Sequence, residues 1–238
     1  MSALIDAWLQ TPLLAIGLSI GAYLTGFALF RRLGSPGWCP PILIASLLLA
    51  ATLRLLDIPY DDYRRGAAWL MLLLGPATVA LAVPLYQQMH HVRALWRPLA
   101  VCLPVATLLA AFYAVAIAWA LGAPPSLLAS LAPKSVTAPI AMGITETLGG
   151  SVSILMGGLL ITGVAATAFV TLLGRWLKID DERLLGLALG VNGHAIGTVR
   201  AFEIGPTAGA FASLGMTLTG VLTALLLPLV WRLAGFAA

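Results

Sequence analysis

Residues 124–150 read PPSLLASLAPKSVTAPIAMGITETLGG. Pro133 and Pro139 stand six apart, Lys134 and Glu146 carry charge, and Ser and Thr cluster between them. Proline removes an amide donor and breaks or kinks a helix. Runs of continuous apolar sequence flank the stretch, at roughly 98–121 and 150–174. Each run is long enough to cross a bilayer, which takes about 20 residues of helix. Non-helical backbone at membrane depth survives only where protein or an aqueous cavity surrounds it. The stretch is therefore expected to be a re-entrant or discontinuous segment of a helical membrane bundle, not a plain span.

Composition agrees with that setting. Of 238 residues, 61% are hydrophobic and 9% charged, and the mean hydropathy is +1.00. A soluble domain carries about 25% charged residues, so a soluble globular enzyme is excluded. Spans are expected at roughly 12–30, 38–56, 66–86, 98–121, 150–174, 182–203 and 206–233, an all-α polytopic domain of about seven or eight segments covering 1–238. Barrel strands would alternate over about ten residues, and continuous runs are found instead. Residues 1–10 lack the basic region of a cleavable signal, so the first span is expected to be retained.

The net charge of +4 arises from Lys and Arg between spans, where they set topology; nucleic acid is not an expected partner. If 124–150 leaves on the side it enters, the loops with Arg31 and Arg32, with Arg93 and Arg97, and with Arg175, Lys178 and Arg183 share one face. The positive-inside rule makes that face cytoplasmic. Cys39 and Cys102 support neither a disulfide framework nor a zinc site. No metal or cofactor is expected, and no nucleophile elbow or P-loop is present. Residues 74–79, LGPATV, echo residues 131–136, LAPKSV. Paired Pro-interrupted segments would point to a transporter repeat, although six residues also match by chance in so biased a composition.

Ionisable groups inside membrane segments are costly and mark function. Lys134, Glu146, His194, Arg200 and Glu203 are those groups here, all in the second half of the chain. A half-helix starting near Ser135 and Thr137 would aim free amides and a positive dipole end at an anion, and Lys134 would add a full charge. The plain alternative has Lys134 snorkelling to the interface and Pro133 merely starting a helix. Residues 190–203 read GVNGHAIGTVRAFE. There His194 and Thr198 share a helical face, while Asn192 among Gly190, Gly193 and Gly197 suggests unwound or closely packed backbone. His194 could bind an anion or move a proton, or simply bridge two helices. Arg200 and Glu203 are spaced as a structural ion pair, and Glu146, His194 and Glu203 are candidates for proton or ion coupling. Gly186, Gly190, Gly193, Gly197, Gly205 and Gly209 stand four apart in pairs, which implies close helix packing.

The segments PKSVTAPIAMGITETLGG (133–150), GLALGVNGHAIGTVRAFEIGPTAGAFASLGMTLTG (186–220) and LGPATVALAVPLY (74–86) resemble the LrgB/CidB family over essentially the whole chain. Departures are small, with Ala138 where the family often has a second Thr, and Asn192 and Val199 where small Ala is usual. The resemblance implies a multi-pass protein of the bacterial inner membrane, not an enzyme, often beside a short LrgA/CidA-type membrane partner. It implies either an antiholin-like or holin-like modulator of murein hydrolase activity and autolysis, or a carrier of small monocarboxylates such as pyruvate, lactate or glycolate. Lys134, Ser135, Thr137, His194, Gly197 and Thr198 match the family's distinctive positions, and with Asn192 they form the expected substrate site. Between the two, buried Lys and His in Pro-broken segments favour the carrier, because a pore-forming lesion does not need them. Lipids and a small anion are the expected partners. A homodimer is expected too, although small-residue faces equally explain packing within one chain.

Overall fold

The computed structural model describes residues 12–80, 83, 86 and 89–235. The described residues are helical throughout their ordered elements, and they fall into two compact units, 1–83 and 84–238. Residues 1–10, on which the expectation of a retained leader bears, lie outside the described part, as does most of the stretch beyond Ala80 in LGPATVALAVPLY.

In the first unit α1 (Pro12–Arg32) packs on α2 (Pro41–Leu55) and α3 (Tyr60–Met71), and α4 (Leu74–Ala80) follows. The hydroxyls of Ser19 and Tyr63 lie 2.8 Å apart and tie α1 to α3. A Cβ on Gly26 would sit 2.9 Å from the Ala45 amide nitrogen, so glycine is what lets α1 and α2 touch by backbone. At 15 residues α2 is about 22 Å long, short for a 30 Å hydrocarbon core. The expected span 66–86 is interrupted at Leu72 and Leu73. The echo between 74–79 and 131–136 is not matched locally either. The first is helix α4, whereas the second is mostly turn.

The second unit holds α5 (Met89–Ala94), α6 (Trp96–Ala120), α7 (Pro125–Leu131), α8 (Ala138–Thr147), α9 (Val152–Leu177), α10 (Glu182–Ile204) and α11 (Pro206–Leu233). Proline opens α7, α8 and α11, where the missing amide costs nothing. Among the described residues, α1, α6, α9 and α11 are long and apolar enough to cross a membrane. Their outward residues are large and apolar, such as Phe112, Phe169 and Leu225, while Ala201, Ala208, Ala210 and Ala212 are fully buried. Small residues inside and large apolar ones outside is the pattern expected in lipid, where close backbone packing takes over from hydrophobic burial.

Two segments of this unit double back. In the first, Ser151 N–H donates to Ser130 Oγ at 2.7 Å, and a Cβ on Gly150 would meet the Ser130 amide and Thr145 Cγ2. The chain leaving α7 thus returns to its end after α8, with residues 132–137 as the bend. In the second, the expected span 182–203 needs correction, because α10 is broken at His194 (φ 42°, ψ −131°). A straight helix would hold its ends roughly 33 Å apart. Instead a Cβ on Gly205 would lie 2.7 Å from a Glu182 carboxylate oxygen, and one on Gly197 would lie 2.1 Å from the Leu189 carbonyl. The segment is a hairpin of two short helices with His194 at its tip.

Candidate functional site

The two bends meet on α9. Gly158 faces the first, where an added Cβ would contact Leu131 and Lys134, and the neighbouring Leu159 carbonyl faces the second. His194, 5% exposed, is 3.0 Å from that carbonyl through Nε2. A carbonyl only accepts, so Nε2 carries the proton and Nδ1 is left as the free ring nitrogen. A cavity of about 10 Å³ separates the bends, room for roughly one water. Ser135 and Val136 line it from the first, Val191 from the second, and Thr107, Thr219 and Thr223 from α6 and α11. These threonines stand near mid-length of their helices. Each donates its proton to a carbonyl of its own helix, so only oxygen lone pairs face inward.

Lys134 is the cation of this region. Its Nζ donates to the Tyr113 hydroxyl at 2.9 Å and to Ser135 Oγ at 3.3 Å, and sits 4.4 Å from the Tyr113 ring centroid. Among the described residues no carboxylate pairs with it. One ammonium donor is left over from these two bonds. Helix α8 begins on Thr137 without a side-chain cap, and Pro139 has no amide, so the Ala138 and Ile140 amides of its first turn lack intrahelical partners. Lys134 and these amides lie within six residues of chain, and an uncompensated ammonium together with such amides can hold an anion.

The other expected residues separate. Asn192, half-buried, donates to the Ala188 carbonyl at 3.0 Å. Thr198 is buried, donating to the His194 carbonyl at 2.8 Å with Met216 Sδ at 3.5 Å, and Gly197 is taken up by the crossing on Leu189. These positions build the second bend, and Ser135 reaches the cavity. Arg200 and Glu203 form the ion pair, far along the returning arm of α10 from its tip. Glu146 is exposed on the last turn of α8, at the other end from Thr137. Gly186 and Gly190 do serve packing: a Cβ on either would lie 2.1 Å from the carbonyl of Ala208 or Ala212 on α11. Sequence reasoning missed Tyr113, although it is the one tyrosine in the run 98–121, and it missed the Leu159 carbonyl, which no side-chain pattern reports.

The LrgB-like family model matches residues 19–233. An uncharacterized protein of Haemophilus influenzae is 37% identical over 190 residues, 80% of this chain and 82% of its own length. The uncharacterized protein YxaC of Bacillus subtilis is 35% identical over 218 residues, covering 92% and 94%. The antiholin-like protein LrgB of Bacillus cereus is 28% identical over 226 residues, covering 95% and 98%. No solved structure matches. With long apolar helices built around small-residue crossings and a family match over most of its length, the chain belongs to the LrgB-like family and is a multi-pass protein of the bacterial inner membrane.

Proposed function

We propose that this protein is a secondary carrier of small organic monocarboxylates, of the pyruvate, lactate or glycolate type. The observation that carries the reading is Lys134: a cation at the bend between α7 and α8, between α6 and α9, held among the described residues by hydroxyls and an aromatic face. Keeping such a charge in a membrane is costly unless an anion uses it. In this reading α7–α8 and α10 re-enter the membrane from opposite faces, since α9 lies between them in the chain and both bends touch its Gly158–Gly163 stretch. Lys134 and the first-turn amides of α8 take the carboxylate, and His194 faces it from the second bend. The cavity of about 10 Å³ between the bends is too small for a three-carbon acid, and neither Lys134 nor His194 lines it, so binding requires the bends to part. Opening toward one face at a time would give alternating access. His194, with its free Nδ1, is the best-placed proton carrier of the coupling candidates; Glu146 and Glu203 lie at the ends of their arms.

An antiholin-like role is the second reading, supported by the name of the Bacillus cereus relatives. Purified protein in liposomes separates the two. Saturable uptake of labelled pyruvate or glycolate, lost in Lys134→Ala and His194→Ala, is the expected result. Unselective dye leakage without saturation would sink the carrier and favour a pore. No flux of either kind would leave a regulator acting through a membrane partner such as an LrgA/CidA-type protein.

A further inference from the structure

At the mouth of the α10 hairpin, away from His194, a second and larger cavity opens. It has a volume of about 460 Å³ and lies between the last turns of α9 and both arms of α10. That is within the roughly 300–1,000 Å³ range of small-ligand sites. Arg175 and Lys178 line it from the end of α9, Arg200 from the returning arm, and Asp180 is the one carboxylate among them. Arg175 and Lys178 form no ion pair among the described residues. Arg200 is held by Glu203, yet its Nε is buried with no acceptor among the described residues. The rest of the wall is largely apolar, with Val170, Leu185 and Ile204. Cationic rim and apolar wall together suit an amphiphilic anion.

We propose that this cavity binds a phosphate group, which bridges Arg175 and Lys178 on α9 to Arg200 on the returning arm of α10. Occupancy ties the arm that follows His194 to a helix that crosses the membrane, and so restrains the hairpin at its mouth. The apolar wall favours a phospholipid as the source, a headgroup phosphodiester with its glycerol and upper chains on Leu185 and Ile204. Basic loops face the cytoplasm, where basic pockets between membrane helices accept anionic headgroups. Free inorganic phosphate offers the same charge without the apolar part. The site is separate from Lys134 and stands whether or not the protein is a carrier.

The test is thermal unfolding of the full chain in neutral detergent, titrated with phosphatidylglycerol, with phosphatidylcholine and with inorganic phosphate. Phosphatidylglycerol is expected to raise the midpoint saturably and phosphatidylcholine is not. The double variant Arg175→Gln, Lys178→Asn is expected to weaken the apparent affinity about thirty-fold, roughly a factor of five per cation; Asn suits the positive φ of Lys178. Arg31→Gln, Arg32→Gln, a basic pair outside the cavity, should leave it unchanged. Asp180→Asn should tighten binding, which a merely structural role would not produce, and it decides the matter if the double variant does not fold. The same variant pattern with inorganic phosphate would assign the site to free phosphate. An effect of equal size in every variant, or no effect of either phosphate probe on the unsubstituted chain, would overturn the proposal.

Discussion

The Lys134 ammonium lies 2.9 Å from the Tyr113 hydroxyl and 4.4 Å from the centroid of its ring, so a cation on the first bend rests on the C-terminal half of α6. Tyr113 both satisfies one donor and places the positive charge over a π face, and it leaves the ammonium a donor for an anion. Position, not neutralisation, is what the tyrosine supplies.

Substitution at Tyr113 should therefore grade the site. Tyr113→Phe keeps the ring and loses a hydrogen bond of about 1 kcal/mol, whereas Tyr113→Leu also loses a cation–π contact of about 0.5–2 kcal/mol. Uptake of labelled pyruvate below saturation is expected to fall in the order unsubstituted chain, Phe variant, Leu variant. Equal uptake by all three would remove Tyr113 from the site.

His194 occupies backbone space that favours glycine (φ 42°), at a cost on the order of 1–3 kcal/mol. Its bond to the Leu159 carbonyl helps to hold it there. His194→Ala and His194→Gly both lose that bond, but only glycine relieves the backbone. The glycine variant should unfold at the higher temperature in detergent, and both should lose uptake. A more stable alanine variant would mean that the bend has no strained residue.

Gly190→Ala puts a methyl 2.1 Å from the Ala212 carbonyl oxygen, a backbone atom that cannot swing aside. Overpacking of that kind costs about 1–3 kcal/mol or more, and α10 should separate from α11 with a clear loss of thermal stability. Gly157→Ala meets nothing within 4 Å and should be neutral or stabilising by up to about 1 kcal/mol. The difference between the two melting temperatures is the measurement.

Asp181 caps α10 by accepting from the Arg183 amide at 2.9 Å, and the Arg183 guanidinium grips both its oxygens. The Arg183 side-chain bond, followed by the amide bond, holds its pKa at about 2 instead of the usual 3.8. A carboxyl with a lowered folded pKa adds stability above its unfolded value and loses it as pH falls through the folded one. That contribution is full above about pH 4 and fades toward pH 2. Asp181→Asn retains a capping oxygen but not the charge. Its melting temperature should differ most from the unsubstituted chain above pH 4, and the gap should narrow between pH 4 and 2. A gap independent of pH would contradict the charge pairing.

Membrane residence, helicity and the break near Pro133–Pro139 follow from local chemistry, and so were readable in the chain. Few charges and long apolar runs admit little else, and two prolines six apart among Ser and Thr favour a break where single prolines, Pro104 in α6 and Pro228 in α11, do not end their helices. The packing glycines were legible for a related reason: spacing of four places Gly186 and Gly190 on one face, and that face meets Ala208 and Ala212. The residues Lys134 and His194 stood out because charge is rare in such sequence. The expected span over 182–203 needed correction because its apolar content matches a crossing helix, and hydropathy carries no direction. Asn192 among its glycines suggested unwound or closely packed backbone, but it did not say that the chain turns back at His194.

By itself, then, the sequence determined the solvent, the helical class, the family and the short set of polar residues that lipid makes expensive. Tertiary structure decided which of them meet. It brought Lys134 to Tyr113, His194 to the Leu159 carbonyl and both bends to α9, while Glu146 and the Arg200–Glu203 pair were left at the ends of their arms. The physical reason is that these partners are distant along the chain, 21 residues for Lys134 and Tyr113 and 35 for His194 and Leu159. One of them is a backbone carbonyl, which every residue has and no residue pattern marks.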